Sequence, residues 1–243
     1  MTVLAIDVGN SRIKWGFHHQ GEWLSMGALP RADSARLASV WADNPAPHRV
    51  VGCNVAGEEA GREIGHAVAA RGCQVEWIVS RANQCGVANR YDEPSQLGAD
   101  RWAALIGARK RVAGGCVVLS AGTAVTIDAM SAQGEFLGGV ILPNPSIMAE
   151  ALERHTAALK RQRGKFHLLP TNTADAIATG AYLAVGGALN RIENTLRTLG
   201  EASCEIVMTG GGAADLQPTL DRNAKLIPNL VLEGLAVVAS QRD

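Results

Sequence analysis

The chain has 243 residues, with 23 Lys and Arg against 23 Asp and Glu, 47% hydrophobic residues and 19% charged ones. Balanced charge gives no overall field to draw in nucleic acid, and no apolar run approaches the roughly 18 residues that a membrane span needs. A dedicated nucleic-acid binder and a membrane protein are both excluded on this reading. The length suits one large domain or two of about 100 to 150 residues. Cys53, Cys73, Cys85, Cys116 and Cys204 are an odd, scattered set without a CxxC pair, and no basic segment precedes the first apolar run. They read as reduced, mostly structural thiols of a soluble cytoplasmic protein.

The first element is the apolar run Val3-Leu4-Ala5-Ile6-Asp7-Val8, which stops on Gly9-Asn10-Ser11. Asp7 stands where a buried strand leaves the core, Gly9 permits a positive φ, and Asn10 and Ser11 offer short polar groups beside exposed amides. Residues 12–17 follow as a strand with Ile13, Trp15 and Phe17 on one face and Arg12, Lys14 and Gly16 on the other, so the turn closes a hairpin. Two readings stand for it: a phosphate-holding turn with Lys14 as a contact, or an ordinary polar hairpin. Neither GxxxxGK[ST] nor GxGxxG occurs, so a Walker loop and a Rossmann fingerprint are absent.

Residues 22–29 predict a third strand and 35–42 a helix started by Asp33-Ser34. Then come a strand at 49–55, a helix at 58–71 stopped by Gly72, and a strand at 75–80, an alternation that predicts a mixed sheet. Residues 81–97 read as polar and irregular and lead to Gly98-Ala99-Asp100-Arg101 ahead of a helix at 102–112. Asp100 is the best candidate for a reacting carboxylate. It sits at a helix start beside Arg101, which would keep it ionised; the plain alternative is an N-cap with an exposed arginine.

After Gly114-Gly115 the opening repeats, with Val117-Val118-Leu119-Ser120-Ala121-Gly122-Thr123 aligning on Leu4-Ala5-Ile6-Asp7-Val8-Gly9-Asn10. Strands at 124–130 and 136–142 join through Ala132-Gln133-Gly134. A helix is expected at 146–160, a polar loop at 161–172, and a second helix opening on Thr173 and Asp175. A strand at 205–208 ends on Thr209-Gly210-Gly211-Gly212, where close approach of a planar ring and a flexible helix-start loop are equal readings. The last helix is 230–240. Asp128 admits two readings, a magnesium or water ligand and a strand-surface carboxylate. No histidine has a partner at metal-ligand spacing. Two halves that both open with three strands and a helix predict a duplicated domain, 1–113 and 114–243, with the two glycine-bearing turns facing a nucleotide cleft.

Four motifs, in order, resemble the type III pantothenate kinases, also called Bvg accessory factors. They are Asp7-Val8-Gly9-Asn10-Ser11 with Lys14, Gly98-Ala99-Asp100-Arg101, Ala121-Gly122-Thr123-Ala124 with Thr126 and Asp128, and Gly138-Gly139-Val140-Ile141-Leu142-Pro143. The resemblance implies an actin-like fold of two ribonuclease-H-like domains and the reaction ATP plus pantothenate to ADP plus 4'-phosphopantothenate, the first step of coenzyme A synthesis. It implies ATP binding by Asp7, Val8, Gly9, Asn10, Ser11, Arg12, Ile13, Lys14 and Thr123, with Mg2+. It makes Asp100 the proton acceptor, and it has Tyr91, Gly98, Ala99, Asp100 and Arg101 bind pantothenate. Thr173 matches a threonine that the family contributes across a homodimer. In two places the chain departs from the pattern. Ser120 stands where the family has an aspartate that ligates a monovalent cation, K+ or NH4+, so that site is expected to be weakened. Asn144 stands where a glycine follows Pro143; asparagine is the residue next best able to adopt the left-handed conformation, so this change is expected to be mild. Two other functions are carried beside the kinase: a non-catalytic nucleotide-binding regulatory protein, and a phosphotransferase acting on another small alcohol.

Overall fold

The computed structural model describes residues 1–156, 164–201, 203–220 and 222–241. The chain forms two compact units. The first comprises Met1–Arg111, Gly134–Phe136 and the stretch from Asn229 onward, and the second comprises Val112–Gln133 and Leu137–Pro228.

In the first unit, β1 (Thr2–Val8) and β2 (Arg12–His19) form the expected hairpin, and β3 (Glu22–Pro30) continues it. A 3-10 turn at Arg31–Arg36 and a single α-turn, α1 (Leu37–Val40), replace the longer helix expected at 35–42. Only Leu37 and Trp41 are buried there, which is too narrow an apolar face to carry a longer helix. Next come β4 (Arg49–Asn54), α2 (Glu58–Ala69) and β5 (Val75–Trp77). Helix α2 buries Ala60, Ile64 and Val68, spaced by four, and Gly72 follows it at φ +73. The strands line up as β3-β2-β1-β4-β5, antiparallel through the hairpins and parallel from β1 to β4 and β5. Ile13, Trp15 and Phe17 join Leu4, Ile6, Val50, Ile64 and Trp41 in one core, as the alternation in β2 predicts. Each such large side chain contributes roughly 1.5–3 kcal/mol by leaving water.

Residues 81–97 are more ordered than their composition suggests. They hold a small hairpin, β6 (Asn83–Gln84) and β7 (Val87–Asn89), closed by Cys85 and Gly86 at φ +53 and +76. Helix α3 (Ala99–Arg111) buries every residue from Arg101 to Ala108. It starts three residues earlier than expected, so Asp100 lies inside its first turn.

The second unit opens with β8 (Gly115–Ala121), β9 (Ala124–Met130) and β10 (Glu135–Pro143). Helix α4 (Pro145–His155) follows; the end of the helix expected at 146–160 and the start of the loop expected at 161–172 lie outside the described residues. Helix α5 (Thr173–Thr198) is capped by Asn172, whose side chain accepts from the Asp175 amide. Then come β11 (Cys204–Thr209), α6 (Ala213–Leu216) and β12 (Lys225–Leu226). The strand order is β12-β11-β8-β9-β10, with β8, β11 and β12 parallel and β8–β9 antiparallel. Taken from its own first strand, this is the order of the first unit. Val117, Leu119, Val125, Ile127, Val185, Leu189 and Met208 fill its core.

Helix α7 (Leu230–Ser240) belongs to the first unit and packs on α3. The pair is so close that a Cβ at Gly234 would stand 1.8 Å from the Ala103 carbonyl oxygen. That contact fixes the helix on which Asp100 sits.

Candidate active site

In the first unit, β1 delivers Asp7 to the edge of the hairpin turn, opposite Lys14 in register and beside Cys53 on the parallel neighbour β4. The Cys53 thiol donates to Asp7 Oδ1 at 3.4 Å. Burial pushes this thiol well above its ordinary pKa, and the charges of Asp7 and Asp100 add to that, so it remains a protonated donor. Burial likewise raises the Asp7 carboxyl to about 6, opposed by Lys14 and the Cys53 hydrogen bond and assisted by the Asp100 charge. Residues 93 positions apart in sequence are thus within electrostatic range. The turn itself is tight, with the Gly9 amide donating to the Arg12 carbonyl at 3.0 Å. Gly9 does not use the positive φ expected of it; a Cβ there would stand 3.2 Å from Arg12 O, so its small size is what the turn uses.

Asp100 Oδ1 accepts from the Arg101 amide at 2.8 Å. A Cβ at Gly98 would come within 2.7 Å of the same oxygen, so glycine is what lets the carboxylate turn back over the helix start. The amides of that first turn favour a negative charge. Arg101 is 5% exposed rather than the exposed arginine of the plain N-cap reading. Its guanidinium lies 5.9 Å from the Tyr91 ring centre and 5.8 Å from that of Phe136, and Nη1 donates to the Tyr91 hydroxyl at 3.3 Å. Tyr91 in turn packs on Phe136, with ring centres 5.2 Å apart, and its amide donates to Asn89 Oδ1 at 3.0 Å. Tyr91, Gly98, Ala99, Asp100 and Arg101 therefore form one cluster. Cys53, Asn89 and Phe136 were not singled out by the sequence reading, and only the sheet register and the hairpin reveal them.

In the second unit the corresponding turn is Gly122-Thr123-Ala124, with the Gly122 amide donating to the Ala124 carbonyl at 2.9 Å. Thr123 is exposed on it. Ser120 occupies the place of Asp7 and pairs with Thr126, whose buried Oγ1 has no hydrogen-bond partner. Asp128 is 1% exposed, which removes the strand-surface reading. Gly210 has φ +93, and a Cβ there would meet the Ala121 carbonyl oxygen at 2.3 Å. The close approach at this glycine is made by backbone, not left for a planar ring. A cavity of about 170 Å3 is lined by residues that include Gly122, Asn144, Tyr182, Gly212 and Asp215. Asn144 has φ −69 and ψ 163, an extended backbone that makes no use of the left-handed conformation. It caps α4 instead, accepting from the Ile147 amide at 2.9 Å, with Pro145 behind it at the first helical position. The Asn-Pro sequence before an apolar helix was the available signal. Thr173 is exposed at the start of α5.

Among the described residues no cluster of three or more His, Cys, Asp or Glu side chains could hold a metal.

Two units of one strand order, each with a tight polar turn after its first strand, define the actin-like class of fold. Solved structures agree. A Baf family transcriptional activator from Campylobacter jejuni matches with a TM-score of 0.63 at 20% identity, over 97% of this chain and 96% of that one. A 2-dehydro-3-deoxygalactonokinase from Sinorhizobium meliloti matches with a TM-score of 0.58 at 17% identity, over 98% of each chain. These likenesses are of fold. In sequence, residues 3–195 match the type III pantothenate kinase family. A type III pantothenate kinase of Aromatoleum aromaticum is 45% identical over 239 residues, which cover 98% of both chains. The chain belongs to the type III pantothenate kinase family.

Proposed function

We propose that the protein transfers the γ-phosphoryl group of ATP to the primary hydroxyl of pantothenate, giving 4'-phosphopantothenate and ADP at the entry to coenzyme A synthesis. The observation that carries this reading is Asp100 at the start of α3, its Oδ1 accepting from the Arg101 amide, in one cluster with Arg101 and Tyr91 and in the same unit as the hairpin turn that carries Asp7. In the proposed chemistry the hydroxyl oxygen bonds to the γ-phosphorus, the bond to the β,γ-bridging oxygen breaks, and the hydroxyl proton passes to Asp100. Arg101, packed against two aromatic rings, and Tyr91 would bind the acid end of pantothenate. Asp7, Val8, Gly9, Asn10, Ser11, Arg12, Ile13, Lys14 and Thr123 are assigned to ATP. A magnesium ion would ride on the phosphates with Asp7 as its carboxylate partner, direct or through water; it would neutralise charge on the phosphates. The Ser120 position does not fit a tight potassium site, because Ser120 and Thr126 bring neutral oxygens only.

Asp100→Asn is the test: kcat should fall on the order of 10²–10⁴ while ATP affinity stays close to wild type. Near wild-type turnover would move the base elsewhere. A regulatory nucleotide sensor is not favoured, since it has no use for a reacting carboxylate at Asp100.

The proposal includes a homodimer and a cytoplasmic location. Ile147 and Leu152 on α4 and Leu183 on α5 are 38%, 43% and 52% exposed, which suits a contact through these helices. Light scattering on active protein should give twice the chain mass; a monomer would remove the role assigned to Thr173. None of the described helices is long and apolar enough to cross a membrane.

A further inference from the structure

We infer that Asn144 is a positioning residue for the Gly122-Thr123 turn, and through it for nucleotide binding. Three contacts of one side chain carry this. Oδ1 accepts from the Ile147 amide at 2.9 Å and from the Ser146 hydroxyl at 2.8 Å, while Nδ2 donates to the Gly122 carbonyl at 3.2 Å. The amide orientation is fixed by chemistry, since an N–H of Ile147 needs an acceptor and a carbonyl of Gly122 needs a donor. A flipped side chain would lose both. The residue therefore does two separable jobs: it caps an eleven-residue helix, and it ties that helix to the turn.

Gly122, Thr123 and Ala124 are all exposed, and the Gly122 amide closes the turn on the Ala124 carbonyl. The Asn144 contact adds a link from this exposed turn to a helix. Gly122 and Asn144 both line the cavity of about 170 Å3, so a shift of the turn changes the wall of that cavity. A glycine at 144 would retain neither contact. One side-chain hydrogen bond in an exposed setting contributes on the order of 1 kcal/mol, about fivefold in an equilibrium constant.

This inference rests on the assignment of Thr123 to ATP. Asn144→Ser separates the two jobs, because serine caps a helix nearly as well as asparagine but is too short to reach Gly122. The variant should keep the wild-type melting temperature and kcat. It should raise the KM for ATP about three- to tenfold, and in the ligand-free protein it should speed hydrogen exchange at the Gly122 amide. An unchanged KM would overturn the inference. Thr123→Ala tells the two failures apart. If Thr123→Ala raises the ATP KM and Asn144→Ser does not, the positioning role alone is wrong. If neither does, the assignment of this turn to ATP fails with it.

Discussion

The two hairpin turns share a scaffold and differ in charge. Each follows the first strand of a sheet with the same strand order, and in each a glycine amide closes the turn on a nearby carbonyl. In the first unit a carboxylate, Asp7, faces Lys14 across the hairpin and takes a hydrogen bond from a buried thiol. In the second, Ser120 faces Thr126, and one hydroxyl is left without a partner. Backbone geometry is thus repeated, while at the matching strand position the first copy carries a carboxylate and the second a hydroxyl. A duplicated fold supplies two equivalent places to hold a ligand, and side chains decide which of them handles protons.

Disturbing Asp100 through its neighbour should have the largest effect on this contrast. Gly98→Ala puts a methyl group within 2.7 Å of Asp100 Oδ1 and must turn the carboxylate. A misplacement of that kind lowers kcat about 10- to 100-fold. The loss should appear in steady-state kinetics without a matching rise in the KM for ATP; unchanged kcat would show that the carboxylate orientation does not matter.

Asp7 provides a test that needs no substrate. Its carboxyl titrates near 3.8 when unfolded and about 6 when folded, so the folded state holds the extra proton and stability falls as pH rises through that window. Above pH 6 the ionised, desolvated group costs up to about 3 kcal/mol. Asp7→Asn should therefore melt several degrees higher than wild type at pH 8, with the gain vanishing near pH 4. An equal shift at both pH values would contradict the raised pKa. Ser120, at the equivalent place, carries no titrating carboxyl, and Ser120→Ala should show no pH-dependent difference.

The smallest effect concerns cations. Wild-type activity should be nearly independent of potassium at fixed ionic strength, and Ser120→Asp should introduce a several-fold activation by restoring a carboxylate to the second turn. Strong activation of the wild type by low-millimolar potassium would show that other oxygens build the site.

Much of this was legible in sequence because burial alternates along β2 and recurs by fours along α2, and because Asp7 and Ser120 stand at matching ends of apolar runs. Residues 83–89 were not legible as a hairpin, since a cysteine at positive φ is a poor turn signal. Asp100 is marked in sequence by its place at a helix start, but its aromatic setting is not: Phe136 lies far along the chain and meets Tyr91 through the pairing of its strand with β7. Cys53 read as inert for the same reason, because only the register of β1 against β4 sets it beside Asp7. Asn144 stands out in sequence as a departure from a glycine, while its role as a cap is carried by the Asn-Pro pair at the start of α4.

The most direct measurement of the central claim is ADP release by the purified protein with ATP and magnesium, comparing pantothenate with glucose, glycerol and no acceptor. The account predicts release that requires pantothenate and matches 4'-phosphopantothenate formed one for one. ADP released at the same rate without pantothenate would contradict it.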